Sequence, residues 1–296
     1  MNHKQIAASA AALGLLLFGV AASATAGHPA LTSRHFSAAA RPVSGSVRAS
    51  EAMASVPALR QGIYAPGVAA PRRPVAGPNA VTDAFYFNWS GYAATGAGGS
   101  FTRVSGSWTV SRLGRCSGEH QTATEWVGFD GFSDSTVEQA GTISMCFRGR
   151  AVYYDWYEMF PTDPVTVTVH RVAPGDRISA SVKRVGAAYR LVIIDATHRA
   201  DSFSVGTRCR TCLNESAEWI NERDLFASSG YSPLSNYGTW KLTSGAATQS
   251  GRSLSIGALP HLNNITMIDA TDSYNLATAS ALVRRNSFTT TWRDSW

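Results

Sequence analysis

A glutamine and a glutamate, each set among aromatic residues, are the side chains of this sequence best suited to chemistry. Gln139 follows the segment Trp-Val-Gly-Phe-Asp-Gly at 126–131, and Glu222 ends the segment Ala-Glu-Trp-Ile-Asn-Glu at 217–222. Apolar surroundings raise the pKa of a carboxyl group and suit it to proton transfer. A neutral amide can donate a hydrogen bond to an oxyanion without itself titrating. We therefore interpret Gln139 and Glu222 as a catalytic pair.

Other acidic side chains occur in similar aromatic settings. Glu158 stands out because Trp156 and Tyr157 precede it, whereas Glu218 is expected to be structural or exposed. The sequence lacks the Gly-x-Ser-x-Gly, His-Glu-x-x-His, Asp-Thr/Ser-Gly and phosphate-loop motifs of common hydrolases. The histidines are scattered, and nothing in their positions supports a Ser/His/Asp triad. Carboxyl and amide chemistry is therefore the favoured interpretation.

The elements that would position these groups have the patterns of strands. From Phe85 onward apolar and polar residues alternate over short stretches, and turn residues recur at short intervals. Residues 216–226 could form a short helix, but Trp219 and Ile220 suit a strand equally well. The pattern predicts one all-β domain of about 210 residues, an antiparallel sandwich of two sheets. A bent sheet would offer a cleft for an extended polymer.

The amino-terminal part has a different composition. Residues 1–26 combine Lys4, an apolar run and Ala-Thr-Ala at 24–26, which predicts a secretory signal peptide and no stable membrane anchor. Residues 27–83 are rich in Ala, Pro, Ser, Val and Arg and lack hydrophobic periodicity. They are either a disordered linker or a basic propeptide, and we favour the propeptide. The β-sandwich domain is expected at 84–296, in a protein secreted from the cell.

The positive charge is concentrated in this amino-terminal part. The chain has 26 Lys+Arg and 20 Asp+Glu, a net charge of +6. Residues 1–83 hold seven of the basic and two of the acidic groups, so residues 84–296 hold 19 and 18. The predicted domain is nearly neutral, which argues against nucleic acid as a partner.

Four cysteines favour two disulfides in an exported chain. Cys116, Cys146, Cys209 and Cys212 allow three pairings, which the sequence leaves open. Cys209 and Cys212 have the spacing of a redox motif, and the four residues together could ligate zinc. We rank structural disulfides above zinc, and redox chemistry last.

Taken together, the aromatic segments resemble those of the glutamic peptidases, also called eqolisins. The resemblance rests on Asn-Trp-Ser-Gly at 88–91, Trp-Val-Gly-Phe-Asp-Gly at 126–131, Gln-Ala-Gly at 139–141, Trp-Tyr-Glu-Met-Phe-Pro at 156–161 and Ala-Glu-Trp-Ile-Asn-Glu at 217–222. Two departures are visible. Ala140 replaces the family's Thr, and Glu138 stands where the family typically has an aliphatic residue. The resemblance covers the chain from about residue 88 to beyond residue 224.

The resemblance implies a concanavalin A-like, jelly-roll-like antiparallel β-sandwich with its active site on the concave sheet. Gln139 and Glu222 take the positions of the catalytic dyad, and Trp126, Asp130 and Glu158 match residues that support the site or bind substrate. It also implies activity at acid pH, a propeptide that acts as an inhibitor, and no metal or other cofactor. We expect a secreted, monomeric endopeptidase that acts on proteins or peptides.

Two other functions fit an aromatic-rich β-sandwich. A glycoside hydrolase could use Glu158 and Glu222 as acid and nucleophile, but it would leave Gln139 without a role. A carbohydrate-binding lectin would need neither carboxyl.

The propeptide arginines could pair with the site carboxylates at neutral pH, which predicts self-processing on acidification.

Overall fold

The structure of the chain is a computed structural model that describes residues 62–63, 66–76, 81–116, 118, 120–161, 163–167, 172–226 and 230–296. The predicted signal peptide and most of the predicted propeptide lie outside these residues. Within them the secondary structure is β-strand, apart from two 3-10 turns at Arg199–Asp201 and Ile256–Ala258. The all-β prediction is confirmed.

The described strands are short in the amino-terminal part and longer from β4 onward. In chain order they are β1 Gly62–Ile63, β2 Val75–Ala76, β3 Thr82–Tyr86, β4 Trp89–Thr95, β5 Phe101–Thr109, β6 Thr122–Phe129, β7 Val137–Phe147, β8 Arg150–Phe160, β9 Asp163–Val167, β10 Arg177–Val185, β11 Ala188–Asp195, β12 Phe203–Arg208, β13 Ser216–Glu222, β14 Leu225–Phe226, β15 Gly230–Tyr231, β16 Thr239–Gln249, β17 Arg252–Ser255, β18 Leu262–Ile268, β19 Asn275–Ala279 and β20 Phe288–Trp292.

Two layers are evident in the strand pairing. One layer has the order β2-β3-β18-β4-β13-β6-β7-β8-β9, and β3 with β18 is its parallel pair. The other has the order β12-β11-β10-β5-β16-β20-β19. Pairing of β18 with β19 joins the layers along one side, so one sheet folds over on itself. A small sheet, β1-β14-β15, lies apart from it.

The first layer is buried on both faces. Along β6, for example, Val127 and Phe129 pack into the main core between the layers, whereas Trp126 packs on the opposite face. Side chains alternate between the faces of a strand, so each central strand contributes to both clusters. The second cluster is rich in aromatic residues, including Trp89 and Trp156. We call its face the site face.

Residues 216–222 form strand β13, so the alternative of a short helix there is wrong. Its burial explains the ambiguity of the pattern. Every residue of β13 is buried, because the strand lies between β4 and β6 with a core on each face. A strand buried on both faces loses the polar–apolar alternation that would distinguish it from a helix.

The structure pairs Cys116 with Cys146 and Cys209 with Cys212. The prediction of two disulfides is confirmed, and the pairing that the sequence left open is resolved.

Residues before the predicted domain boundary at residue 84 pair with the first layer. Strand β2 is antiparallel to β3, and β3 itself begins at Thr82. Arg72, one of the arginines of the predicted propeptide, contacts Asp272 rather than a carboxyl of the predicted site. Among the described residues no helix has the length and apolar character needed to cross a membrane.

Candidate active site

Strands β7, β6 and β13 carry the predicted catalytic pair on one face. Gln139 on β7 lies opposite Gly128 of β6, and Glu222 on β13 lies opposite Thr124 of the same strand. Residues 124 and 128 are an even number of positions apart, so their partners project from the same face. Trp126, between these two positions, projects from that face as well. The pair therefore shares the site face, with the Trp126 indole between the two positions.

The carboxyl group of Glu222 is fully buried and accepts two hydrogen bonds. The Trp126 indole Nε1 donates to Oε2 at 2.8 Å, and the Asn88 amide Nδ2 donates to Oε1 at 3.2 Å. Burial raises the pKa of Glu222 well above its usual value, and the nearby Asp224 carboxylate raises it further. The two N–H donors act against that rise because they stabilise the ionised form.

Gln139 is held by Glu158 on the neighbouring strand. The two residues are directly opposite in the β7–β8 pair, and Gln139 Nε2 donates to Glu158 Oε2 at 2.9 Å. Both are buried. Burial raises the pKa of Glu158 well above its usual value, although the bond from Gln139 opposes this. The contact fixes the side-chain amide so that its nitrogen faces β8.

Two glycines, Gly128 and Gly141, make room for the Trp126 indole. A Cβ atom on Gly128 would lie 3.0 Å from Trp126 Cζ3 and 3.0 Å from Gln139 Cβ. One on Gly141, which is opposite Trp126 on β7, would lie 2.6 Å from Trp126 Cβ. Such short contacts are rare or absent for real Cβ atoms, so glycine at these two positions leaves space for Trp126, whose indole bonds to Glu222.

Asp130 lies at the end of β6, where it binds the segment that leads into β13. Its φ of 66° is in the left-handed region, which Asp tolerates better than most residues. The backbone N–H of Asn214 donates to Oδ2 at 2.6 Å, and that of Glu215 donates to Oδ1 at 2.8 Å. Asp130 therefore joins two of the strands that carry the dyad.

Two further carboxyls near Glu222 did not stand out in the sequence. Asp224 is buried and accepts a hydrogen bond from Thr124 Oγ1 at 2.7 Å, and burial raises its pKa to about 7. Glu125 projects into the core behind the site face, accepts a bond from Thr142 Oγ1 at 3.2 Å, and has its pKa raised by burial to about 8. No local pattern identified Asp224, because the threonine that binds it lies 100 positions earlier in the chain.

Two other acidic residues of the aromatic segments occupy different positions. Glu218 is fully buried rather than exposed, and burial raises its pKa well above the usual value. Asp155 is buried on β8 opposite Thr142 of β7, and Thr142 in turn lies opposite Glu125 of β6. Residues directly opposite one another project from the same face, so Asp155 faces the core, as Glu125 does. The structure thus groups Glu158 with Gln139 and Trp126 with Glu222, and places Asp155 behind them.

Within the part of the chain that is described, two groups of side chains have the donor atoms for a metal. Glu138 lies near the Cys209–Cys212 disulfide, whose sulfurs are already bonded to each other. Asp176, Asp195 and His198 form the second group, at the turns before β10 and after β11. Neither group includes Gln139 or Glu222.

Residues 87–292 match the Peptidase A4 family, and because this match covers more than half of the sequence, the chain belongs to that family of glutamic peptidases, the eqolisins. The predicted recognition of the family is confirmed. A glycoside hydrolase or lectin is not favoured.

Individual relatives agree with this assignment. Aspergillopepsin-2 from Aspergillus niger is 24% identical over 190 residues, which cover 55% of this chain and 65% of that protein, slightly less than two thirds. A structure of scytalido-glutamic peptidase with a transition state analog inhibitor has a TM-score of 0.59 at 20% identity and covers 70% of this chain and 98% of that one. Aspergilloglutamic peptidase from Aspergillus niger has a TM-score of 0.51 at 22% identity, over 58% of this chain and 99% of that one. The predicted β-sandwich of this family is confirmed.

Proposed function

We propose that the protein is an acid-acting endopeptidase in which Gln139 and Glu222 hydrolyse peptide bonds with an activated water. The observation that best supports the proposal is the environment of the Glu222 carboxyl. This carboxyl is buried, it accepts N–H bonds from Trp126 and Asn88, and it shares the site face with Gln139. A buried carboxyl with two neutral donors and a raised pKa is a suitable general base and acid.

In the proposed reaction Glu222 moves one proton twice. The carboxylate takes a proton from the water as the water oxygen bonds to the scissile carbonyl carbon. The resulting tetrahedral intermediate carries a negative oxygen. Glu222 then gives the same proton to the leaving nitrogen as the C–N bond breaks, so the carboxylate is restored. Its raised pKa suits both steps, because it makes the carboxylate a stronger base and keeps the proton until it is transferred.

Gln139 is proposed to stabilise the negative oxygen of this intermediate. An amide nitrogen has two hydrogens, and Glu158 accepts from the Gln139 nitrogen. The other hydrogen of the Gln139 amide is proposed to point to the oxyanion when substrate is bound. Because Glu158 fixes the amide before substrate arrives, the donor needs no reorientation during the reaction, which is the source of its catalytic value. Trp126 is proposed to support the site through its hydrogen bond to Glu222. Asp130 is proposed to support it through its bonds to the segment before β13.

Acid pH suits a site that contains so many carboxyls. Burial raises the pKa values of Glu158 and Glu218, so these two groups are neutral at acid pH and do not repel the Glu222 carboxylate that the reaction requires. We also propose, from the sequence, that residues 1–26 direct secretion and that residues 27–83 are an inhibitory propeptide. Proteins and peptides are the proposed substrates.

Hydrolysis of a denatured protein at about pH 3–4, where carboxyls lie near their ordinary pKa values, tests the dyad. Glu222→Gln is expected to lower kcat by about 10²–10⁴, the usual loss of a general base. Gln139→Ala is expected to lower it by about 10²–10³, the usual loss of an oxyanion donor. Glu215→Gln, half-buried on the segment before β13, is the control that retains activity. Full activity of Gln139→Ala would contradict the proposal that Gln139 and Glu222 act as a catalytic dyad.

A further inference from the structure

Residues 66–70, which we call the strap, cross the site face in an extended form. Gly67 N donates to Gly131 O at 2.9 Å, beside Asp130. Further along, Ala70 N donates to Phe85 O and Phe87 N donates to Val68 O, each at 2.8 Å. The strap therefore bonds through its backbone to the end of β6 on one side and to the β3–β4 segment on the other.

Asn88 binds the strap with both atoms of its amide. Its Oδ1 accepts from Val68 N at 2.8 Å, and its Nδ2 donates to Pro66 O at 3.3 Å. The same Nδ2 lies 3.2 Å from Glu222 Oε1. One side chain thus connects a peptide backbone to the carboxyl proposed to activate water. These contacts require no particular side chain of the peptide.

The strap passes through a slot that fits glycine. A Cβ atom on Gly67 would lie 2.6 Å from Tyr86 Cε1 and 2.8 Å from Trp89 Cε3, closer than real contacts allow. Trp89 is in turn packed edge-on against Trp126, with ring centroids 5.0 Å apart. The slot is therefore rigid, because its aromatic walls are part of the buried cluster on the site face.

Resting on the proposed peptidase function and its inhibitory propeptide, we propose that the strap lies in the peptide-binding site, so that the residues it contacts are those that bind the substrate. Asn88 is then a positioning residue for the substrate backbone, and the Tyr86–Trp89 slot is a subsite that admits only the smallest residue. Glu222 is 0% exposed with the strap in place, so its carboxyl does not contact solvent. Removal of the strap opens the peptide site.

The contact itself is tested on the full chain at neutral pH by amide hydrogen exchange. The N–H groups of Gly67, Val68, Ala70 and Phe87 are expected to be protected. Gly67→Val is expected to remove this protection, because the added side chain cannot enter the slot. Ala69→Val introduces the same side chain at an exposed position and is the matched control. Unprotected strap amides in the unaltered chain would overturn the proposal, whatever the protein hydrolyses.

Latency is tested by following peptide hydrolysis immediately after acidification. The unaltered chain and Ala69→Val are expected to show a lag, and Gly67→Val an initial rate at least about tenfold higher, the equivalent of about 1.4 kcal/mol of lost strap binding. Equal lags in all three chains would overturn the latency. Absence of hydrolysis in every chain, with strap amides protected, would count against the peptidase function and leave the contact standing.

The substrate-binding role is tested with a synthetic peptide of residues 64–71, Tyr-Ala-Pro-Gly-Val-Ala-Ala-Pro. This peptide is expected to inhibit the acid-activated enzyme competitively. The same peptide with Gly67→Val is expected not to inhibit it. Asn88→Ala is expected to weaken inhibition at least about tenfold and to raise KM by a similar factor, since it removes two backbone hydrogen bonds. An unchanged KM with a lowered kcat would show that Asn88 acts on Glu222 alone. Equal inhibition by both peptides would contradict the proposal that the Tyr86–Trp89 slot admits only glycine.

Discussion

At the scale of single residues, the proton affinity of Glu222 depends on opposing contributions. Burial and the Asp224 carboxylate favour the neutral form, and the indole N–H of Trp126 favours the ionised form. A hydrogen bond to a charged group contributes about 1.5–3 kcal/mol. The Trp126 indole therefore keeps the Glu222 pKa lower than burial and Asp224 alone would set it.

Trp126→Phe is expected to raise the pKa of Glu222, because it removes the donor and keeps most of the packing. The limb of the kcat/KM profile governed by Glu222 should therefore move to higher pH. Trp219→Phe is the matched control. Trp219 is equally buried on the adjacent strand, but its indole donates to Ser105 O on the core side. A profile that does not move, or one that moves in both variants, would contradict the role of Trp126.

The sequence identified the residues whose chemistry is unusual where they stand. Gln139, Glu222 and Trp126 were predicted because amides and carboxyls among tryptophans are costly to bury without a purpose. The contact of Asn88 with Glu222 was not predicted, since it joins residues 134 positions apart. Asp224 was missed for the same reason, because its burial depends on threonines of β6 about 100 positions earlier. Long-range pairing is not visible in local patterns.

At the scale of strands, Asp130 determines how β13 enters the sheet. It accepts the backbone N–H groups of both Asn214 and Glu215, just before β13 begins at Ser216. A carboxylate accepts two such bonds, one on each oxygen, whereas an amide has only one accepting oxygen. Asp130 is therefore better suited to this position than its isostere.

Asp130→Asn is expected to lower the free energy of unfolding by about 1–3 kcal/mol, because one buried N–H group loses its acceptor. Urea unfolding measures the loss, and faster amide exchange at Asn214 or Glu215 locates it. Glu215→Gln keeps both backbone bonds and should unfold like the unaltered protein. If Asp130→Asn were as stable as that control, the bonds to Asp130 would not hold β13 in place.

Strand positions were largely predictable, and strand partners were not. Alternation predicted most of the long strands, since β-branched and aromatic residues were enriched there. The aromatic segment from Phe85 to Tyr92 is divided between two strands, β3 and β4, which are separated at Phe87 and Asn88, where the strap binds. The strap itself, Pro-Gly-Val-Ala-Ala, is too short to show a period. Its place in the sheet comes from backbone bonds and from the absence of a side chain at Gly67, neither of which produces a sequence pattern.

At the scale of the whole molecule, the raised carboxyl pKa values link folding to pH. Glu125, with a pKa raised to about 8, and Asp224, with one raised to about 7, bind protons more tightly in the folded chain than in the unfolded one. The stability from such groups is fully present below the unfolded pKa of about 4 and is lost as pH rises through the folded value. The fold is therefore expected to be most stable in acid, where the proposed enzyme acts.

The midpoint of thermal unfolding is expected to fall continuously from pH 4 to pH 8. For Glu125 alone, the shift from 4.5 to about 8 corresponds to a loss on the order of 3–5 kcal/mol. Glu222→Gln serves as the background, because it prevents self-digestion. Added to it, Glu125→Gln should flatten the pH dependence, since the amide still accepts from Thr142 but does not titrate. Asp294→Asn, at an exposed position, should leave the dependence unchanged. A midpoint that rises toward pH 8 would show that the buried carboxyls do not control stability.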